Sequence, residues 1–328
     1  MTGEPVLDVR DLTVTLPRRG GRVTAVGGMN LTLGAGEIVG LAGESGSGKT
    51  MTALAALGLL PGGARTGGEI LFEGRDLLTL PTRALRDVRG RDIAMVFQDP
   101  MTSLHPMLTV ERQLTDHLRH HRGLDRAAAR GRALELLETV RIPGGKDALR
   151  SYPHQFSGGM RQRIAIAIAL ACDPKVLIAD EPTTALDVTV QAGILELLDR
   201  LRRERDMSVL LITHDLGVMS SLADRVSVMY AGRVVESGPR GTVLTRPRHP
   251  YTRGLLDALP HPGEEGTGLR PIPGLPPAAG SVGDGCAFAP RCHWALASCA
   301  RTTPEPLHLD PGHSAACPVD PLAKEVPV

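Results

Sequence analysis

The sequence predicts an α/β fold, a largely parallel sheet with helices packed on it, and three observations carry that expectation. Short apolar runs suited to buried central strands recur at Gly36–Ala42, Val176–Asp180 and Val209–Thr213. Helix-compatible stretches alternate with them, the order expected when parallel strands are joined by crossover helices. A glycine-rich segment, Gly43 to Thr50, follows the first run and opens into a helix-compatible stretch from Met51 to Leu60.

Composition narrows the class. The chain has 328 residues, enough for about two domains at roughly 150 residues each. With 37 Lys and Arg against 36 Asp and Glu the net charge is +1, so no global field draws the chain toward nucleic acid, and no nucleic-acid partner is expected. The longest apolar run, Ile164 to Cys172, is nine residues, well short of the roughly 18 needed to cross a bilayer. The start, Met1-Thr2-Gly3-Glu4-Pro5, has neither a basic nor an apolar segment of the secretory kind, so a cytoplasmic location is expected. Trp, Tyr and Phe together number 8, so the core must rest on Leu, Val, Ile and Ala. Sixteen of the 26 prolines lie from Pro239 onward and four of the five cysteines after residue 285. The composition therefore breaks near residue 240, giving a core over 1–240 and an extension over 241–328.

The chemistry-bearing segments follow in chain order. Gly43-Glu44-Ser45-Gly46-Ser47-Gly48-Lys49-Thr50 fits the GxxxxGK(S/T) phosphate loop in its strand-loop-helix context. Glycines let backbone N–H groups curl round phosphates, Lys49 reaches the terminal phosphates, and the Thr50 hydroxyl ligates Mg²⁺. From about 99 to 160 no strand-like run appears, while Leu134, Leu137 and Val140 recur at helical spacing, so this stretch reads as a helical insert. Phe156-Ser157-Gly158-Gly159-Met160 precedes a helix from Arg161 to Cys172, with Ser157 placed as its N-cap. Val176-Leu177-Ile178-Ala179-Asp180-Glu181 is an apolar strand ending in two acids, and consecutive strand residues face opposite ways. Asp180 can then hold Mg²⁺ while Glu181 polarises an attacking water. After it, Val190, Ile194, Leu197, Leu198 and Leu201 mark one face of a helix joining two strands.

Five blocks together resemble the ATP-binding cassette family, and within it the nucleotide-binding subunits of bacterial oligopeptide and dipeptide importers. They are Glu44 to Lys49, Phe97-Gln98-Asp99-Pro100-Met101-Thr102-Ser103-Leu104, Phe156 to Arg163, Ala179 to Asp187, and Ile212-Thr213-His214-Asp215-Leu216-Gly217. Arg248-His249-Pro250-Tyr251-Thr252 and the Cys-bearing tail resemble that branch in particular. The resemblance implies a P-loop core of the cassette type with an antiparallel β subdomain, a helical insert and a small irregular C-terminal extension. It implies ATP hydrolysis driving peptide uptake, with Gly43, Ser45, Gly46, Ser47, Gly48, Lys49, Thr50 and Met51 on the nucleotide and Thr50, Gln98 and Asp180 on Mg²⁺. Glu181, His214 and Gln98 would serve hydrolysis, and Asp187 would line the interface between cassettes. Ser157, Gly158 and Gly159 would contact nucleotide bound to the opposite cassette, so one chain cannot close its own site. The implied partners are a second cassette subunit, identical or sister, two membrane permease subunits, and an extracytoplasmic substrate-binding protein reached through them. The implied place is the cytoplasmic face of the membrane, as a peripheral subunit. Chromosome-type cassettes insert a very long coiled coil where Lys49 to Ser157 spans 108 positions, and ribosome-acting ones usually carry two cassettes per chain.

Two features depart from, or add to, the common pattern. No Phe, Tyr or Trp precedes Phe72, so adenine would pack against an arginine plane from Arg18, Arg19 or Arg22, or against apolar contacts such as Val23. Cys286, Cys292, Cys299 and Cys317 form the remaining constellation, and in a reducing compartment clustered thiols read as metal ligands rather than disulfides. Their spacings are wider than those of a typical first zinc pair, and Cys₄ ligation also suits iron-sulfur. The resemblance favours a 4Fe-4S cluster, with Zn²⁺ as the alternative. Cys172 reads as a core residue, and His120, His121 and His313 as solvated.

Overall fold

A computed structural model describes residues 4–99, 103–184, 186–259 and 271–322, arranged as two compact units of interleaved segments. The first unit comprises Met1–Leu7, Leu33–Glu37 and Leu71–Ile212, the second Asp8–Thr32, Ile38–Ile70 and Thr213–Val328. In chain order the strands are β1 (Leu7–Arg18), β2 (Gly21–Leu33), β3 (Ile38–Ala42), β4 (Arg65–Phe72), β5 (Arg75–Asp76) and β6 (Ile93–Val96). They continue as β7 (Val176–Asp180), β8 (Ser208–Ile212), β9 (Arg225–Tyr230), β10 (Arg233–Pro239), β11 (Leu307–Asp310) and β12 (His313–Ala315). Residues Pro100, Met101, Thr102 and Ala185 of the sequence blocks lie outside the described residues.

The first unit is built on parallel pairing. β6 pairs with β7 from Ile93↔Val176 to Val96↔Ala179, and β7 with β8 from Val176↔Ser208 to Asp180↔Ile212. β7 and β8 are buried at every position, as an apolar run covered on both faces must be. The crossover helix Val188–Arg205 buries Ile194, Leu197, Leu198 and Leu201 of the stripe read from the sequence and leaves Val190 half-buried. The insert is helical: Val110–Arg122, Arg126–Thr139 and Gly145–Arg150. Thr109 and Asp125 cap the first two by accepting from the N–H groups of Arg112 (3.3 Å) and Ala128 (2.8 Å), and Gly123, at φ +64°, ends the first. Asp173 accepts from Arg132 (2.8 Å) of the insert and from Arg205 (2.6 Å) of the crossover helix, so one carboxylate joins the two.

In the second unit β3 pairs parallel with β9, β9 antiparallel with β10, and β10 antiparallel with β12, which pairs in turn with β11. The extension is thus less irregular than its proline content suggests. It holds the helices Arg240–Thr245 and Pro250–Asp257, and its β11–β12 hairpin extends the sheet through Glu236↔Ala315 and Ser237↔Ser314. Tyr230, Tyr251, Phe288, Val243 and Met219 are among the buried side chains of one apolar cluster, so three of the few aromatics are concentrated where extension and core share a core. Pro271 to Gly285 carries no helix or strand, as its Gly/Pro pattern implies.

His313 corrects the sequence reading. It is 2 % exposed rather than solvated, and its Nε2 lies 2.9 Å from Glu236 Oε1. Glu236, 1 % exposed, also accepts from the N–H groups of Arg248 (2.8 Å) and His249 (2.9 Å), so one buried carboxylate ties β10 to β12 and to the start of the last helix. His120 is exposed and His121 half-buried, while Cys172 is fully buried. No helix among the described residues is long and apolar enough to cross a membrane.

Candidate functional site

The phosphate loop belongs to the second unit, between buried β3 and the helix Lys49–Ala56. Its glycines answer geometric demands. Gly43 has φ +148°, and a Cβ there would stand 2.1 Å from the Met229 carbonyl oxygen. Gly48 has φ +107° at the N-cap position, where a Cβ would meet the Ala25 carbonyl oxygen at 2.7 Å. Lys49 is buried, and its ammonium donates to the carbonyls of Gly43 (2.7 Å) and Glu44 (2.9 Å) and, at 3.5 Å, to Ser47 Oγ. Ser45 and Gly46 are exposed, whereas Ser47 is buried and Thr50 and Met51 half-buried. An ammonium on three weak acceptors can exchange them for phosphate oxygens without leaving its place.

The strand-end acids belong to the first unit. Asp180 closes β7 at 2 % exposure. Glu181, next in chain, has φ +47°, a left-handed conformation that few non-glycine residues adopt. Its N–H donates to the Ile212 carbonyl (2.8 Å), which anchors the turn on β8. Its Oε2 accepts from Gln98 Nε2 at 2.8 Å and from Thr184 Oγ1 at 2.9 Å. The structure therefore brings Gln98 and Glu181 together, and adds Thr184, which sequence reasoning missed. A threonine three positions after an acid in a turn is the signal that could have found it.

Ser157 caps the helix Gly158–Ala169 by accepting from the Met160 N–H at 3.3 Å. Asp187 caps Val188–Arg205 by accepting from the Val190 N–H at 2.9 Å. The two caps are linked, because a Cβ on Gly159 would lie 2.5 Å from Val190 Cγ1. Only glycine lets the two helix starts approach this closely. His214 is exposed, in the turn where the Asp215 N–H donates to Thr213 Oγ1 (3.0 Å) and Asp215 caps the helix Leu216–Leu222.

Of the residues considered for the base, Arg22 is engaged locally, donating to Thr15 Oγ1 (3.0 Å) and to the Thr15 and Gly63 carbonyls (2.8 Å each). Arg18 and Arg19 are exposed. Val23 is half-buried, and a Cβ on Gly280 would stand 2.5 Å from its Cγ2, so the Pro271–Gly285 loop packs directly on it.

All four tail cysteines border one small cavity together with His249, Phe288 and Trp294. All are free thiols. Burial pushes the thiols of Cys286 and Cys292 up, and Cys317 up to about 11, so they are protonated at neutral pH. They are not drawn into a metal cage: among the described residues no group of three or more His, Cys, Asp or Glu is placed to hold a metal ion. The His249 Nε2, buried at the same cavity, has no hydrogen-bond partner among the described residues, and burial pushes its pKa down to about 3.

Known proteins resemble this chain in sequence and in fold. Residues 26–184 match the ABC transporter family, and residues 235–299 match the oligopeptide/dipeptide transporter C-terminal region. The chain is 49% identical over 319 residues to the oligopeptide transport ATP-binding protein of Salmonella typhimurium, covering 97% of this chain and 95% of that one. It is 49% identical over 316 residues to the dipeptide transport ATP-binding protein of Bacillus subtilis, covering 96% and 94%. Among solved structures it resembles a dimeric ATP-binding cassette in a post-hydrolysis state bound to ADP and phosphate, with TM-score 0.64 and 31% identity, over 71% of this chain and 98% of that one.

Proposed function

The chain belongs to the ATP-binding cassette transporter family, and from that membership we propose that it is the ATP-hydrolysing subunit of an importer of oligopeptides or dipeptides. The observation that carries the reading is the match of residues 235–299 to a C-terminal region particular to oligopeptide and dipeptide transporters, beside near-half identity to importer subunits over almost the whole chain. We take 1–240 as the ATPase domain, with its helical insert at about 99–160, and 241–328 as the extension.

In this reading the loop from Gly43 to Thr50, with Met51, wraps the phosphates, and Lys49 exchanges the Gly43 and Glu44 carbonyls for oxygens of the terminal phosphates. Thr50, Gln98 and Asp180 offer a hydroxyl, an amide oxygen and a carboxylate, the hard oxygen donors that Mg²⁺ takes. Bound there, Mg²⁺ would neutralise phosphate charge. Glu181 takes the proton of the attacking water, and the hydrogen bonds from Gln98 and Thr184 hold that carboxylate in one orientation. His214 would donate to the terminal phosphate. Ser157, Gly158, Gly159 and Asp187 would complete the site of a second cassette, so the working unit is a dimer, on the cytoplasmic face of two permease subunits. An extracytoplasmic binding protein would deliver the peptide. Closure on ATP and opening after hydrolysis would pass to the permeases through the helical insert.

For the extension we propose a thiolate-ligated centre on Cys286, Cys292, Cys299 and Cys317, iron-sulfur ahead of zinc. Four thiols are a donor set for such a centre and the four cysteines line one small cavity, although their side chains are not gathered into a cage in this structure. Burial pushes the thiols of Cys286, Cys292 and Cys317 up, so loading would release protons from these three and draw the sulfurs together. Anaerobic protein should be brown, and Cys292→Ser should remove the colour; a colourless protein with one bound zinc would replace iron-sulfur by zinc.

The test of the main reading is Glu181→Gln in a dimer whose other hydrolytic site is also disabled. ATP binding should persist while turnover falls by about 10² to 10⁴, the usual weight of a general base. Undiminished turnover would remove Glu181 from that role, and membrane vesicles that hydrolyse ATP without accumulating peptide would refute the transport assignment.

A further inference from the structure

We propose that Arg291 and Tyr251, both in the C-terminal extension, are positioning residues for the phosphate loop, acting through Glu44. The inference rests on that loop being the ATP site. Glu44 is a variable position of the GxxxxGKT pattern, and nothing in the pattern assigns it a role. Yet each of its polar groups is engaged. Its N–H donates to Tyr251 Oη at 2.8 Å, its carbonyl accepts from Lys49 Nζ at 2.9 Å, and its carboxylate is held by Arg291.

The carboxylate contact is bidentate, with Arg291 Nη1 2.7 Å from Oε2 and Nη2 3.0 Å from Oε1. The Arg291 side chain is 6 % exposed. Its Nε donates to the Pro273 carbonyl at 2.8 Å, its Nη1 lies 3.3 Å from Tyr230 Oη, and its guanidinium sits about 6 Å from the ring centres of Tyr230 and Phe288. Tyr251 is fully buried, and its ring lies 4.5 Å from that of Tyr230. Neither group can follow the loop if it moves, because each is fixed by the apolar cluster of the extension. They hold Glu44, and the Glu44 and Gly43 carbonyls hold Lys49.

The consequence concerns binding more than chemistry. A loop already fixed in its open curl loses little conformational freedom when phosphate arrives, and that saving enters affinity. Neither Arg291 nor Tyr251 lies in the loop itself, so removing the brace should raise Kd and KM for MgATP and leave saturated turnover nearly unchanged.

The test uses the full chain in its assembled transporter, with MgATP affinity read by a fluorescent ATP analogue alongside KM and kcat. Arg291→Gln should weaken binding about tenfold, and Tyr251→Phe, which deletes one hydroxyl and keeps the ring, about threefold, with kcat changed less than about twofold. Arg291→Lys should recover only part of the loss, since lysine lacks the fork. The pair Glu44→Gln with Arg291→Gln should be no worse than Arg291→Gln alone, because the two act as one unit. Unchanged affinity in both Arg291→Gln and Tyr251→Phe, or strictly additive losses in the pair, would overturn the proposal. Lys49→Ala separates the two readings: if it binds MgATP like the wild type, the ATP site itself is misassigned, and if it alone loses binding, only the brace is wrong.

Discussion

The phosphate loop and the C-terminal extension are ordered by opposite means. In the loop the pattern is written locally: Gly43 and Gly48 take positive φ and Lys49 folds onto carbonyls five and six positions back, although the backbone that crowds the two glycines belongs to Met229 and Ala25. In the extension they span the chain. Glu236 meets His313 across 77 positions, and Arg291 meets Glu44 across 247. Local constraint produces a pattern that a reader of one sequence can find, whereas distant constraint leaves isolated residues whose importance appears only after folding.

Three substitutions sharpen that contrast. Gly43→Ala should have the largest effect, destabilising by about 3 kcal/mol and abolishing nucleotide binding, because the loop cannot retreat from the Met229 carbonyl. Thermal unfolding with and without MgATP measures both. Glu236→Gln should cost about 2 kcal/mol, since charge-assisted bonds to two N–H groups and His313 weaken together in a buried place. Limited proteolysis should then cut the extension first; cleavage beginning in the core instead would break the contrast.

The last effect is one of pH, and it is absent above pH 6.5. His249 titrates near 3 when folded and near 6.5 when unfolded. Between those values the unfolded chain binds the proton and the native chain does not, so stability is full above 6.5 and declines as pH falls. His249→Asn keeps an acceptor for the Tyr251 N–H and removes the titration. The variant should lose about 1.4 kcal/mol less than the wild type for each pH unit below 6.5, down to about 3. Parallel denaturation curves for both proteins from pH 7 to 5 check it.

The same division explains what the sequence disclosed. β7 falls on Val176–Asp180 as read, and the cap Ser157 and the stripe of Val188–Arg205 are local patterns that tertiary packing largely kept. The Gly36–Ala42 run shortened to Ile38–Ala42, because Gly36 takes φ +65° in the turn before the strand. The β11–β12 hairpin was invisible, since three- and four-residue strands on a sheet edge carry too few positions to show a period. His313 gave no sign of burial because its partner is a glutamate on another strand. Gln98 and Glu181 were found, but not the Thr184 that shares the same carboxylate oxygen. Arg291 read as one more arginine among many.

Glu181 sits at φ +47°, where most L-residues are strained, glycine is not, and asparagine is strained less. A stability screen blind to turnover would therefore favour Glu181→Gly or Glu181→Asn and, on the role proposed for Glu181, would steadily select variants that unfold later and turn over far more slowly. Anyone evolving this protein for heat resistance needs to hold that one codon fixed, because on the proposed role a position where robustness can be gained is also one the reaction cannot spare.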